Sequence, residues 1–289
     1  MIRLIWITIR PKQWIKNLFV FAPLFFARKL FDPSSILQTI AAFGVFCIMS
    51  SAVYIINDLM DAKEDREHPL KRLRPIPSGA LPVNFAWTAS VVLAVLATAA
   101  AWALGKGFFW SCAFYGGLNL AYSLRLKHVV LIDVFIIAAG FVLRVLAGAL
   151  VIKVEISSWL VICTILLSLF LALCKRRHEL VILENNAGHH RQILREYTPY
   201  FLDQLISVVT ASTVVAYSLY TVSEDVTTKF GTQNLRLTIP FVLYGIFRYL
   251  YLVHRKDEGG SPTQVLLTDL PLIINVVLWG ISILFILYF

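Results

Sequence analysis

Long apolar blocks alternate with short polar segments along the whole chain of 289 residues. Each block is about as long as the helix that is needed to cross roughly 30 Å of hydrocarbon. Strand-like alternation is absent, and helices satisfy every backbone polar group of such blocks in lipid. The pattern therefore predicts an all-α, polytopic membrane protein with about nine transmembrane helices. The predicted spans are 15–31, 36–59, 85–104, 107–124, 129–152, 157–174, 200–222, 237–253 and 267–288.

The composition supports a membrane protein and argues against a soluble one. Hydrophobic residues make up 58% of the chain and charged residues only 15%, whereas soluble domains carry about 25% charge. The four cysteines lie within or at the ends of predicted spans, at spacings that match no metal motif. We therefore expect neither a disulfide framework nor a zinc site. These cysteines are Cys47, Cys112, Cys163 and Cys174.

The distribution of the positive charge predicts the orientation. The net charge is +9, and most Lys and Arg residues fall on one side when the N-terminus is placed in the cytoplasm. The positive-inside rule then predicts a cytoplasmic N-terminus and a C-terminus on the far side of a bacterial-type inner membrane. The two longest polar segments, 60–84 and 175–199, lie on the cytoplasmic side of one transmembrane domain that covers 1–289.

An acidic group follows the second predicted span. It consists of Asn57, Asp58, Asp61 and Asp65, which point into one sector of a helix that turns about 100° per residue. Three carboxylates this close repel one another unless a cation lies between them. Oxygen ligands suit Mg²⁺, which binds one or two carboxylates together with substrate phosphates. We predict Asp58, Asp61 and Asp65 as Mg²⁺ ligands; the alternative is a solvated acidic helix end.

A basic, proline-rich segment follows the acidic group directly. Lys71 and Arg72 stand in it, followed by Pro75, Pro77 and Gly79. Lys and Arg bind phosphate oxygens that a metal ion does not reach, and the prolines stiffen the loop. Beside the carboxylates this segment favours a cradle for a diphosphate, although a plain basic loop is the alternative.

Polar residues also occur inside the fourth and fifth predicted spans. Ser123 and Lys127 are four residues apart and share a helix face. Arg144 lies about 16 Å deeper than Asp133 on nearly the same face of the next helix. A charged Arg in mid-membrane is costly unless it faces a polar cavity or a partner. Either Lys127 and Arg144 reach a bound phosphate, or Asp133 and Arg144 form a structural bridge.

At this point the motifs resemble a known family. The pattern Asn57-Asp58-x-x-Asp61-x-x-x-Asp65, followed by Lys71–Gly79, resembles the first aspartate-rich signature of the UbiA superfamily of intramembrane prenyltransferases. The segments Arg10–Asn17, Tyr122–Lys127 and Lys175–Glu179 resemble the subgroup that transfers phosphoribose to a polyprenyl phosphate. The resemblance covers nearly the whole chain and implies a central cavity that opens to the cytoplasm.

The resemblance also implies substrates and a set of site residues. It implies Mg²⁺-dependent transfer of 5-phosphoribose from phosphoribosyl diphosphate to polyprenyl phosphate, with Asn57 positioning a ligand. Membrane lipids are expected partners and nucleic acid is not, while the sequence leaves open whether the chain forms a homo-oligomer. The residues expected to contact substrate phosphates are Lys12, Lys16, Lys71, Arg72, Tyr122, Lys127, Arg144, Lys175 and Arg176.

One departure from the superfamily pattern affects the choice of substrate. Aromatic prenyltransferases of the superfamily carry a second aspartate-rich motif after helix six, where this chain has the cations Lys175, Arg176 and Arg177. The departure favours a donor with an additional phosphate over a prenyl diphosphate. An aromatic prenyltransferase of the quinone-pathway kind is the alternative, and a transporter is a second one, although the chain shows no inverted repeat.

Overall fold

The computed structural model describes residues 2–67, 71–184, 196–256 and 260–289. These residues form two compact units, one from the segment before Ser157 and one from the segment that begins there. The expectation of a single domain over 1–289 stays a prediction. Of the two predicted polar segments, residues 68–70 of the first and 185–195 of the second lie outside the described residues.

The first unit is built from seven α-helices and three short 3₁₀ helices in its described part. The α-helices are α1 (Ile2–Thr8), α2 (Ala22–Phe26), α3 (Pro33–Met60), α4 (Ala62–Glu67), α5 (Val83–Leu104), α6 (Lys106–Leu124) and α7 (Ile132–Val151). The 3₁₀ helices are Pro11–Phe21, Lys71–Leu73 and Leu126–His128.

Helix α3 is the centre of the first unit. It begins at Pro33, where the Asp32 side chain accepts a hydrogen bond from the backbone N–H of Ser35 and caps the helix. Its middle is apolar on nearly every face, so it can be buried by α5, α6 and α7. Phe46 of α3 packs edge-on against Phe108 of α6 in this core. Because the apolar middle of α3 is packed against these neighbouring helices, it holds the polar end of the helix in place.

Gly148 brings α7 unusually close to the first 3₁₀ helix. A Cβ atom at this position would lie 2.0 Å from the carbonyl oxygen of Val20, a distance that no side chain can accept. Small residues allow such close approach of helices in membranes. The contact fixes the segment Pro11–Phe21 against α7, on which Arg144 lies.

The second unit contains six α-helices and one 3₁₀ helix, Asn234–Thr238, in its described part. Within it the Asp269 carboxylate caps α13 at the N–H of Leu272 and binds the guanidinium of Arg248 through two hydrogen bonds. The α-helices are α8 (Ser158–Glu184), α9 (Pro199–Val222), α10 (Glu224–Phe230), α11 (Ile239–Arg255), α12 (Pro262–Thr268) and α13 (Leu270–Tyr288).

Within the described residues, seven helical segments are long and apolar enough to cross a membrane. The chain is therefore a multi-pass membrane protein, but the predicted count of nine spans is not confirmed. The predicted span 15–31 forms a 3₁₀ helix and the short α2, because Pro11 and Pro23 limit regular α-helix there. The predicted span 107–124 forms the 19-residue helix α6, which is not among the seven. Helix α8 also continues through Glu184 into the predicted second polar segment.

Candidate active site

Three acidic side chains are buried together where α3 ends. Asp58 is 1% exposed, and Asp61 and Asp65 are each 3% exposed. We call these residues the carboxylate cluster. Helix α3 ends at Met60, Asp61 forms its C-cap, and α4 continues the turn so that Asp65 donates its backbone N–H to the Asp61 carbonyl. The predicted single helix is thus interrupted at Asp61, yet the three side chains stay in one region.

Arg74 links two members of the carboxylate cluster. Its Nη1 lies 3.0 Å from Oδ1 of Asp58 and 2.7 Å from Oδ2 of Asp65. Lys71 lies 3.6 Å from the other oxygen of Asp65. One guanidinium therefore lies between two buried carboxylates and removes the repulsion that would separate them.

Asp61 has separate partners. The ammonium of Lys127, which is itself buried, binds one of its oxygens. The Asn57 amide donates to the other oxygen at 3.1 Å, and Ser123 donates to the Asn57 carbonyl oxygen at 3.2 Å. Ser123 and Lys127 therefore act from one side of the site, although α6 ends at Leu124 and Lys127 lies in the following 3₁₀ helix, so the predicted shared helix face is not what joins them.

Arg10 is a further cation that contacts the carboxylate cluster, and its backbone conformation is uncommon. Its φ of 53° places it in the left-handed region, which is unfavourable for a residue with a Cβ atom. The turn joins α1 to the following 3₁₀ helix and directs the Arg10 guanidinium to Asp58. The same guanidinium lies 5.4 Å from the centre of the Tyr54 ring. Such strain is commonly retained where it positions a functional group.

The donor set of the carboxylate cluster fits a divalent ion such as Mg²⁺, because it offers only oxygen atoms. No group of three or more acidic, His or Cys residues in the described ranges forms a ready metal centre. Guanidinium and ammonium groups of the protein instead compensate the carboxylates. Since Asp58 and Asp65 already share one cation, they can also share a metal ion that arrives with an anionic substrate.

A second polar group lies deeper along α3. Arg144 is 4% exposed, and its Nε donates to the Asn17 carbonyl oxygen at 2.7 Å. Its Nη1 donates to the backbone oxygen of Gly140 at 2.7 Å, and its Nη2 to the Tyr115 hydroxyl at 2.9 Å. We call Arg144, Asn17, Tyr115 and the neighbouring Lys16 the Arg144 cluster. The structural alternative, an Asp133–Arg144 bridge through water or a third residue, is not tested by these contacts and stays a prediction.

Lys16 is half-buried beside Asn17 in the first 3₁₀ helix. Burial lowers the pKa of Lys16 to about 8, and the nearby guanidinium groups of Arg144 and Arg10 act in the same direction. The charged form is therefore disfavoured by both desolvation and like-charge repulsion. An anion bound at this position would reverse that preference.

The structure brings together only part of the predicted phosphate-contacting set. The Arg144 cluster contains Lys16 and Arg144, and the carboxylate cluster is contacted by Lys71 and Lys127. Tyr122 is half-buried near the end of α6. By contrast, Lys12 and Arg72 are exposed.

Lys175 and Arg176 belong to α8 of the second unit. Both interact with Glu179 on the same helix, at 3.6 Å and 2.6 Å. Their proposed contact with a substrate stays a prediction.

Arg74, Arg10 and Asn17 contact the site but were not among the residues predicted from the sequence. For Arg74 a signal existed, because residues three apart eclipse one another in a 3₁₀ helix. In the segment that begins with the 3₁₀ helix Lys71–Leu73, Arg74 therefore follows the face of Lys71, whereas Arg72 points to solvent. Arg10 and Asn17 contact residues far away in the sequence, and the signal for them was the resemblance of the segment Arg10–Asn17 to the subgroup.

An all-helical membrane fold with buried carboxylates and cations at one helix end defines a class of intramembrane transferases. The chain belongs to the UbiA prenyltransferase family, whose sequence profile matches residues 18–265. A decaprenyl-phosphate phosphoribosyltransferase of Corynebacterium glutamicum is 35% identical over 94% of this chain and 82% of its own length. The enzyme of the same name from Mycobacterium tuberculosis H37Rv is 33% identical over 94% of this chain and 90% of its own length.

Solved structures share the fold. A UbiA homolog from Archaeoglobus fulgidus bound to GPP and Mg²⁺ has a TM-score of 0.76 at 18% identity, over 99% of this chain and all of that one. The same homolog bound to Cd²⁺ has a TM-score of 0.70 over the same shares of both chains. The likeness confirms the predicted membrane fold.

Proposed function

We propose that this chain transfers 5-phosphoribose from phosphoribosyl diphosphate to polyprenyl phosphate and releases diphosphate. The observation that carries the proposal is the carboxylate cluster, whose three buried acids are held beside protein cations. Relatives named for decaprenyl-phosphate phosphoribosyl transfer match 94% of the chain and support this choice of substrates.

The carboxylate cluster is proposed to bind the diphosphate of the donor. A Mg²⁺ ion held by Asp58, Asp61 and Asp65 would neutralise the charge that develops on the departing diphosphate. Arg10, Arg74 and Lys127 exchange their carboxylate partners for phosphate oxygens, so their charges stay compensated in the complex. Asn57 keeps the Asp61 carboxylate in position, and Ser123 holds the Asn57 amide.

The reaction itself needs no general base. An oxygen of the lipid phosphate attacks C1 of the ribose from the face opposite the diphosphate. The bond between C1 and the diphosphate oxygen breaks, and its electron pair leaves with the diphosphate, so the configuration at C1 is inverted. Because the attacking oxygen is already anionic, the protein contributes positioning and electrostatic stabilisation.

The cations of α8 support a donor with more than one phosphate group. Lys175 and Arg176 stand where aromatic prenyltransferases have their second acidic motif, and they are proposed to contact a substrate phosphate. A prenyl diphosphate held by two acidic motifs would require carboxylates at this place. We therefore rank an aromatic prenyltransferase second.

A transfer assay tests the proposal against its alternatives. The purified full chain is incubated with Mg²⁺, decaprenyl phosphate and phosphoribosyl diphosphate labelled with ¹⁴C in the ribose, and the label is measured in the lipid extract. We expect labelled lipid that depends on both substrates and disappears with EDTA. Prenylation of 4-hydroxybenzoate from geranyl diphosphate, without label transfer, would establish the aromatic alternative. No product in either reaction would favour a transporter.

The orientation is part of the proposal, because the soluble donor has to reach the carboxylate cluster. We propose an inner membrane location with a cytoplasmic N-terminus and the C-terminus outside. Reporter fusions at both ends test it: a cytoplasm-dependent reporter is expected to be active at the N-terminus only. Activity of that reporter at both ends would contradict the proposed topology.

A further inference from the structure

Arg144 carries a positive charge that no acidic side chain balances among its contacts in the described part of the chain. Its hydrogen-bond partners are an amide oxygen, a backbone oxygen and a phenol oxygen, all of them neutral. The rings of Tyr115 and Phe141, at 4.6 Å and 5.3 Å, add attraction without removing the charge. A cation buried this deeply is costly unless an anion or a polar cavity faces it.

Lys16 adds a second cation to the same place. Within the described ranges its ammonium makes no hydrogen bond or ion pair, although it is half-buried. Arg144 and Arg10 are close enough to act on it electrostatically. A carboxylate at this place would compensate the repulsion between Lys16 and the two arginines. The fold instead places the cations near one another. Such a gathering of like charges is typical of a site that binds the opposite charge.

The position of the Arg144 cluster separates it from the carboxylate cluster. Asn17 donates to the Ser50 hydroxyl at 3.2 Å, and Ser50 precedes Asp58 by eight residues, or about 12 Å of helix. Arg144, which shares Asn17 with Ser50, therefore lies away from Asp58 along α3, whereas Lys16 is also within electrostatic reach of Arg10, the partner of Asp58. An anion at Lys16 and Arg144 would adjoin the proposed diphosphate site. The proposed reaction contains two suitable groups, the 5-phosphate of the donor and the phosphate of the acceptor. Both are phosphate monoesters.

We propose that Lys16 and Arg144 form a second anion site, which binds a phosphate monoester separately from the diphosphate. Three of the five N–H groups of Arg144 are used by Asn17, Gly140 and Tyr115, which leaves two for a ligand. Lys16 supplies a further ammonium with three donors. Only the identity of the phosphate monoester rests on the proposed function; the anion site itself does not.

Binding measurements that need no turnover test the site. The full chain in detergent is titrated calorimetrically, without Mg²⁺, with farnesyl phosphate and separately with ribose 5-phosphate, and with farnesol as the control for the apolar tail. Lys16→Gln is the main variant, because among the described residues the Lys16 ammonium has no hydrogen-bond or ion-pair partner whose loss would disturb the fold. We expect it to weaken at least one phosphate probe by about tenfold, the usual effect of losing one charged hydrogen bond.

Matched variants separate a specific site from a general loss of charge. Lys16→Arg keeps the charge and is expected to retain binding, and Lys106→Gln removes an exposed lysine at the start of α6 and is expected to leave binding unchanged. Arg144→Lys is the second test, since it keeps the charge but loses the planar guanidinium. Inorganic diphosphate with Mg²⁺ is expected to bind Lys16→Gln within about twofold of the wild type, because its proposed ligands are elsewhere.

The two probes identify the source of the phosphate. Selective loss of farnesyl phosphate binding assigns the site to the lipid acceptor, and selective loss of ribose 5-phosphate binding assigns it to the donor. Equal affinities in Lys16→Gln and wild type, or no binding of either probe by the wild type, would overturn the site. Lysine-dependent binding in a chain without transferase activity would instead sink the proposed function and leave the site standing.

Discussion

The carboxylate cluster and the Arg144 cluster lie in the same unit, and they treat buried charge in opposite ways. Asp58, Asp61 and Asp65 each interact with a protein cation, whereas the hydrogen-bond partners of Arg144 in the described part of the chain are neutral. The carboxylates of the first cluster are compensated by protein cations, which we propose give way to a metal ion and substrate phosphate. The second cluster has an excess of positive charge that an anion would remove. The difference teaches that one unit can hold two neighbouring polar groups of opposite electrostatic character, assembled from different helices.

The largest expected effect comes from breaking the balance of the carboxylate cluster. Asp58→Asn keeps the shape but leaves Arg10 and Arg74 without their shared carboxylate and removes a proposed metal ligand. We expect the rate of phosphoribosyl transfer to fall at least about 100-fold, as for other lost electrostatic contacts to a transition state. Glu64→Gln is the matched control, because Glu64 is exposed on α4. Wild-type activity in Asp58→Asn would contradict the role of the cluster.

Arg74 and Arg72 sharpen the comparison within one short segment. Arg74 lies between Asp58 and Asp65, and Arg72 is exposed. We expect Arg74→Gln to lower kcat/KM for the donor by about 10- to 100-fold, the range for a lost charged hydrogen bond, and Arg72→Gln to have a much smaller effect. Steady-state kinetics at varied donor concentration measures both. A larger effect of Arg72→Gln than of Arg74→Gln would indicate that Arg72, the residue predicted from the sequence, contacts the donor.

A substitution at Gly148 tests whether the close contact between α7 and the first 3₁₀ helix supports the Arg144 cluster, without changing any charge. Gly148→Ala places a Cβ atom against the Val20 carbonyl oxygen and is expected to destabilise the chain by about 1–3 kcal/mol, the usual cost of overpacking. Thermal unfolding in detergent measures the change. Gly117→Ala is the control, since a Cβ atom there has no neighbour within 4 Å. Equal stability of the two variants would show that the contact with the 3₁₀ helix is not tight.

The smallest expected effect is the pH dependence of phosphate binding. With a pKa of about 8, Lys16 is mostly charged at pH 7 and mostly neutral at pH 9. Only the charged form attracts a phosphate, so affinity for the monoester is expected to fall by up to about tenfold over this interval. The arginines that act on Lys16 electrostatically are Arg144 and Arg10. Lys16→Arg is expected to flatten the profile, and an unchanged slope in that variant would exclude Lys16 as the titrating group.

Much of the site could be predicted because its key residues are close in sequence. The carboxylates fall within eight residues, from Asp58 to Asp65, so local geometry brings them into one region even though the helix is interrupted at Asp61. The long apolar blocks likewise predicted a polytopic helical fold without knowledge of any contact. The count of nine spans was not confirmed. In the predicted first span, Pro23 favours short helices, which a hydropathy profile does not show.

By itself the sequence determined that the chain is a helical membrane protein with an acidic group at one helix end, since both properties are local. Only the tertiary structure decided which charges meet. Arg10 binds Asp58 across 48 residues, Lys127 binds Asp61 across 66, and Arg144 binds Asn17 across 127. Such pairs depend on how helices pack, and packing is set by the shape of apolar surfaces over the whole unit, which no short pattern contains.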